Sequence, residues 1–332
     1  MNLPQAMPDD ASSAAGDALP DEVLAEPAEP EPARPLNIGL ASNRLHQEGA
    51  DAALFQFIRA VEPLIVERLQ PRLAVVGRTY DALHDAGLLV GYHQLAPYPY
   101  GRAGGLMRLV SRLVDDNPAA ALDLVIYLID PVDPSSVFPE AMALKRQCVV
   151  HGKPFISTLA GALEWFDLLG VAAGAAPLAM LDETYDFGRE TIALVAHDAK
   201  KAEMLDFARA HFDFFDRFGC RIATGTTGRL LNELALELRP DLLEPWVQPL
   251  KSGPMGGDAQ IAEWLLDRRC RRVIFFEDPH VARQHEADIQ LLERAARVVT
   301  DFAICMNDPA TAGAWVGMCA QRLGLRQGNV TL

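Results

Sequence analysis

Nowhere in the chain does an apolar run reach the roughly 18 residues that a membrane-crossing helix needs, which excludes that class. The first 30 residues are acidic and proline-rich and lack the basic start and apolar stretch of a secretory signal, so a soluble, cytoplasmic protein is expected. Cysteine is sparse and scattered. Cys148, Cys220, Cys270, Cys305 and Cys319 are odd in number and form no CxxC pair, so no metal and no redox couple is expected, only reduced and mostly buried thiols. Basic residues are also short: 30 against 45 acids gives a net charge of -15. That balance repels a polyphosphate backbone unless the cations gather in one strong patch, so nucleic acid is not an expected partner.

What remains is a chain of 332 residues, 50% hydrophobic, longer than a single domain of roughly 100 to 200 residues. Residues 1–36 hold eight acids, one base (Arg34) and seven prolines, too little apolar surface to offset ordering entropy, and read as a disordered tail. From Leu36 onward, short apolar runs alternate with amphipathic stretches. Strands are expected at Asn37–Ala41, Leu73–Gly77, Leu124–Ile129 and Phe155–Thr158, then at Ile192–Ala196, Arg221–Gly225, Val273–Phe276 and Phe302–Met306. This alternation builds an α/β fold, a mainly parallel sheet with helices on both faces.

The order repeats. Leu40-Ala41 matches Val195-Ala196, Gly77 matches Gly225, Gly101–Gly105 matches Gly253–Gly257, and Asp130-Pro131 matches Asp278-Pro279. The offsets of 155, 148, 152 and 148 residues are those of two related units with small loop differences. The expected organisation is two tandem three-layer domains, 37–168 and 190–332, joined by an Ala/Gly-rich and then acidic linker at 169–189.

Four segments of the second unit place polar groups just past the carboxyl ends of strands, where open parallel sheets form their ligand crevice. IALVAHDAKK carries His197 and Lys201. RIATGTTGRLL offers Thr224, Gly225, Thr226 and Thr227 in a turn that opens a helix, suited to an anion or else simply a threonine-capped turn. LKSGPMGGD sets Ser252 and Gly253 before Asp258, which could equally cap the next helix. EDPHVARQHEAD supplies Asp278, His280, His285 and Asp288, although loop histidines are usually solvated. Together a cation, hydroxyls, a carboxylate and imidazoles suit a small phosphate ester: Lys201 against the phosphate, Thr226 and Thr227 on its oxygens, Asp258 as a base, and His197 or His285 donating to an oxyanion.

AHDxxK, ATGTTG, SGPMGGD and DPxxxxxHxxD, in this order and approximate spacing, resemble the methylglyoxal synthase family over about residues 190 to 315. The resemblance implies a carbon–oxygen lyase that converts dihydroxyacetone phosphate to methylglyoxal and inorganic phosphate without metal or organic cofactor. It makes Asp258 the catalytic base. It places His197, Lys201, Thr224, Gly225, Thr226, Thr227, Ser252, Gly253 and His285 on the substrate, with Asp288 a further acid of the site. The family's last helix carries an arginine that reaches a neighbouring subunit's phosphate site, whereas Arg326 here is followed only by QGNVTL.

The first unit keeps the scaffold glycines and loses the reactive groups. Ser42-Asn43 stand at His197-Asp198, Arg78-Thr79-Tyr80 at Thr226-Thr227-Gly228, Leu106 at Asp258 and Val137 at His285. It is expected to be a degenerate, inert copy that pairs as a second subunit would, in a homo-oligomer such as a trimer imitating the family's hexamer. Arg78 or Arg102 is then a candidate for the missing phosphate cation. Two other functions stay open: a phosphate- or effector-sensing module of the same fold, which would need no base, and an inactive interaction scaffold.

Overall fold

The computed structural model describes residues 34–280 and 286–325. It contains two five-stranded sheets, every paired strand parallel. The first is built from Asn37–Ser42 (β1), Arg72–Val76 (β2), Leu95–Tyr98 (β3), Leu124–Leu128 (β4) and Phe155–Ile156 (β5). The second uses Thr191–Ala196 (β6), Cys220–Ala223 (β7), Gln248–Pro249 (β8), Arg272–Phe276 (β9) and Ile304–Met306 (β10). Spatial order is β3-β2-β1-β4-β5 in one and β8-β7-β6-β9-β10 in the other, the same order twice. The expected strands are therefore present, and each sheet gains one short edge strand that sequence did not suggest, β3 and β8. Both are brief and carry a proline (Pro97, Pro249), which is tolerated at a sheet edge.

Central strands are buried along their whole length. All six residues of β6 and all five of β4 and β9 lie inside, as expected when helices cover both faces of a parallel sheet. The covering helices of the first half are Ala53–Pro63 (α1), Gly77–Asp85 (α2), Gly105–Leu113 (α3), Pro139–Val150 (α4) and Leu159–Ala172 (α5). Those of the second are Lys201–Ala210 (α6), Phe212–Phe215 (α7), Gly225–Leu238 (α8), Gly257–Leu266 (α9), Glu286–Val298 (α10) and Pro309–Arg322 (α11). Most show one apolar stripe; in α3 it is Leu106, Leu109 and Leu113. By contrast, α5 is buried from Leu159 to Gly170, because it lies between the two halves and packs on α11.

One apolar core crosses that junction. Phe57, Trp165 and Phe166 from the first half share it with Phe207, Phe215 and Trp315 from the second, and the described residues from Pro35 onward cluster as one compact unit. The stretch 169–189 is part of this core: Leu181, Tyr185 and Phe187 are buried in it. At its centre Arg272 is completely buried. Its Nε and Nη2 donate to the Glu164 carboxylate at 3.1 and 2.6 Å, Nη2 also donates to the Thr184 carbonyl at 3.0 Å, and Trp315 Nε1 donates to Glu164 at 2.7 Å. The faces of Tyr185, Phe187 and Trp315 surround the guanidinium.

The five cysteines are free; Cys148, Cys270 and Cys319 are buried, and burial pushes their thiols far above the ordinary range, which keeps them protonated and inert. Among the described residues no helix is long and apolar enough to cross a membrane.

A buried ion pair broken on one side leaves an uncompensated charge, at a cost of about 3–5 kcal/mol. Glu164→Gln alone is therefore expected to lower unfolding stability by that order. Glu164→Leu combined with Arg272→Met should recover most of it, and urea unfolding of the three proteins reads the difference. The shared core predicts a single transition in each.

Candidate active site

In the second sheet the chain runs from β6 outward to β7 and β8, then returns to β9 on the other side. The carboxyl end of β6 is thus the point where strand order reverses, the usual place for a crevice in an open parallel sheet. A cavity of about 360 Å³ opens there. Its wall includes His197 and Lys201 from the segment after β6, Thr224 and Thr226 after β7, and Ser252, Gly253 and Asp258 after β8. Most of the residues singled out from sequence are therefore brought together. His285 lies outside the described residues, as does the side chain of Asp288.

Glycine makes the arrangement possible. A Cβ on Gly257 would sit 2.0 Å from the Lys251 carbonyl oxygen, so the backbone passes closer than any other residue permits. Gly256, at φ +94°, turns the chain into α9, and Asp258 follows at the second helical position. The N-cap position belongs to Gly256, and Asp258 lies within the first turn. It is 9% exposed, and its Oδ2 would lie 3.0 Å from a Cβ on Gly253, so it rests directly over that glycine. Burial limits its contact with water.

The threonine turn divides its labour. Thr224 precedes α8 and makes no side-chain capping bond, so that beyond the Gly225 N–H, which is spent on the Lys251 carbonyl, the helix start has no side-chain cap and suits an anion. Thr226 faces the cavity. Thr227 is 2% exposed, lies outside the cavity wall, and its hydroxyl bonds to Thr224 at 3.4 Å. Gly225 donates its N–H to the Lys251 carbonyl at 2.9 Å and lets the next strand's loop approach within 3.0 Å of its missing Cβ. Thr227 and Gly225 thus shape the turn, whereas Thr224 and Thr226 line it. Lys201 Nζ donates to Asp198 Oδ1 at 2.6 Å, a pairing that sequence did not assign and that aims the ammonium across the turn opening α6.

His197 is oriented from behind. The backbone N–H of Asp278 donates to its Nδ1 at 2.8 Å, so the neutral ring carries its proton on Nε2, where it is a donor. The ring packs edge-on against Phe275. Beside this contact lies a charged cluster that also escaped sequence analysis: Lys145 of α4 donates to Glu277 at 2.8 Å and pairs with Glu293, and Asn307 donates to Glu277. Arg146 of the same helix donates to the Pro279 carbonyl at 2.8 Å. Burial, reinforced by the neighbouring Glu293 charge and only partly opposed by Lys145, pushes Glu277 up to about 7. Glu293 goes the other way: burial would raise it, but Lys145 and Arg297 hold it below the usual carboxylate range.

The same backbone contacts recur in the first half. Gly77 donates to Pro99 O and Gly105 to Tyr100 O, as Gly225 does to Lys251 O and Gly257 to Ser252 O. A Cβ on Gly105 would meet Pro99 O at 2.1 Å, and Gly104 has φ +85°. One alignment is corrected. Ser42 pairs with Leu128 as Ala196 pairs with Phe276, so Asn43, not Ser42, stands at His197. Arg78 and Arg102 line a cavity of their own half and are not part of the wall around Asp258.

No family model matches the chain. Against curated proteins it is 41% identical over 120 residues to the methylglyoxal synthase of Agrobacterium fabrum, covering 36% of this chain and 87% of that protein. It is 42% identical over 126 residues to the methylglyoxal synthase of Cupriavidus pinatubonensis, covering 37% and 87%. Among solved structures, the methylglyoxal synthase of Elizabethkingia anophelis is 36% identical, with a TM-score of 0.32 over 39% of this chain and 78% of that one.

Two measurements follow from this geometry. Gly257→Ala must displace the Lys251 carbonyl and is expected to destabilise strongly, whereas Gly313→Ala, mid-helix in α11 with nothing within 4 Å, should stabilise by about 0.5–1 kcal/mol; chemical denaturation compares them. For Glu277 the folded state holds the proton more tightly than the unfolded chain, so its contribution is complete below about 4.5 and is lost as pH rises through about 7. Unfolding free energy measured from pH 4.5 to 7.5 should show a falling component that Glu277→Gln removes.

Proposed function

Because the chain belongs to the methylglyoxal synthase family, we propose that its second half is a methylglyoxal synthase acting on dihydroxyacetone phosphate and its first half a degenerate copy without that activity. The observation that carries the reading is a buried carboxylate, Asp258, sharing one small cavity with Lys201, His197 and an uncapped helix start. A sensor of the same fold would need the cation and the helix start but not the base.

In this reading the substrate phosphate lies against Lys201, Thr226 and the first turn of α8, with Ser252 beside it, and the triose points toward Asp258. Asp258 takes a proton from the hydroxymethyl carbon, and the electron pair moves onto the ketone oxygen. A carboxylate with an ordinary pKa near 4 is a weak base toward carbon, so the enediolate needs a donor, which desolvation around the site strengthens. His197 supplies one through Nε2–H, held in that tautomer by the Asp278 N–H. His285 is proposed as a second donor, and Asp288 as a further acid of the site. The hydroxyl of the enediolate then gives its proton to the departing phosphate while its electrons form the aldehyde C=O. The double bond shifts to the phosphate-bearing carbon and the C–O bond there breaks with its pair leaving on phosphate, whose charge is met by Lys201 and the helix start. The remaining enol tautomerises to methylglyoxal. No metal or organic cofactor enters these steps.

Purified full-length protein is expected to form methylglyoxal from dihydroxyacetone phosphate in a coupled assay. Asp258→Asn, which keeps shape but cannot accept the proton, should lower kcat by at least about 100-fold while inorganic phosphate still binds. Near-normal turnover in that variant would refute the assignment of the base.

A further inference from the structure

The first half retains a cavity of about 580 Å³ at the carboxyl ends of β1, β2 and β4, the same place in its sheet as the Asp258 cavity in the other. We propose that this cavity is a binding site for a small phosphorylated anion that is held without being turned over. This claim is independent of whether the second half is a lyase.

The side chains at corresponding positions have exchanged chemistry for charge. The strand and glycine registers put Leu106 at the position of Asp258, so no carboxylate stands there. Asn43 takes the place of His197 and preserves its support: its Oδ1 accepts the Asp130 N–H at 3.0 Å, as His197 Nδ1 accepts that of Asp278. Its Nδ2 is turned to the Ser135 hydroxyl at 3.0 Å, so it holds the loop rather than acting on a ligand. Gln47 stands at Lys201 and donates to the Ser42 carbonyl and hydroxyl.

Against these losses, three guanidiniums arrive. Arg44 replaces Asp198, Arg78 replaces Thr226 and Arg102 replaces Pro254, and all three line the cavity. Arg44 pairs with Glu48. Neither Arg78 nor Arg102 has a carboxylate partner among the described residues; Arg102 lies over the Tyr100 ring at 5.5 Å. Acidic Asp133 and Glu140 also line the space, but Asp133 already accepts the Ser135 N–H at 2.8 Å and faces Asn43. Two cations outside any described ion pair share this wall with Glu140 in a chain of net charge -15. Arg78 is the second residue of α2, a nine-residue helix preceded by Val76, so its cationic side chain leaves from the first turn of a helix whose start has no side-chain cap. The opposite wall, with Leu106, Val76, Tyr127 and Phe138, is apolar or aromatic and suits a short carbon skeleton. The ligand class is therefore a small phosphate monoester.

Isothermal titration of the full chain with inorganic phosphate and with glycerol 3-phosphate tests this. Two binding events per chain are expected, one in each half. Arg78→Ala/Arg102→Ala should weaken one of them at least tenfold and leave the other; Arg78→Lys/Arg102→Lys should restore part of the loss. Lys201→Met should affect only the event that the arginine variants spare. Identical titrations for wild type and the Arg78→Ala/Arg102→Ala protein, both folded by circular dichroism, would overturn the proposal. Because the readout is binding at named arginines, an absence of methylglyoxal formation would not mimic that result.

Discussion

The Glu164 carboxylate is the point on which the two halves close. It sits inside a helix whose one other charged residue is Asp167, receives two bonds from Arg272 and one from Trp315, and lies at the junction of α5 with the second sheet. Three elements from different parts of the chain are thereby fixed by one carboxylate: α5, the first residue of β9, and α11. The strand that Arg272 begins ends at Phe276, immediately before the loop that holds His197. Apolar packing around the pair supplies most of the favourable energy, and the charges contribute a unique geometry, since Glu164 without Arg272 would be stranded away from water and Arg272 without Glu164 would keep only its longer 3.6 Å pairing with Glu190.

Within each sheet a second constraint operates through backbone alone. Gly257 against the Lys251 carbonyl, and Gly105 against that of Pro99, bring a helix start so close to the preceding loop that no side chain fits. This approach delivers the next residue to the cavity. In one half that residue is Asp258 and in the other Leu106, so identical skeletons present a carboxylate in one place and a hydrocarbon in the other. The chemical character of each cavity resides in side chains hung on a common frame.

Much of that frame was legible because its signals are local. Continuous apolar runs such as TIALVA and RVIFF are what doubly covered parallel strands require, and GG pairs mark a forced close approach. The edge strands β3 and β8 were not, since four- and two-residue segments containing proline carry no periodicity. The one-residue error at Asn43 came from aligning apolar identities where only ladder register fixes the offset. Asp258, Lys201, Thr226 and His197 were found from their positions after strands. Thr227 and Gly225 share the same local pattern, because composition does not tell a lining hydroxyl from one spent on its neighbour. The Glu164–Arg272 pair and the Glu277 cluster depend on contacts more than 100 residues apart, yet a trace was present: Glu164 and Asp167 interrupt a helix apolar on every side.

Helix α4 has a further implication. Its first turn forms part of the wall of one cavity through Glu140, and one to two turns later Lys145 and Arg146 grip Glu277 and Pro279, the neighbours on either side of the amide that steadies His197. The imidazole of one half takes its bearing from a lysine of the other. The two halves are consequently coupled through this one helix, and changes along it would be felt at a cavity to which it contributes none of the lining residues.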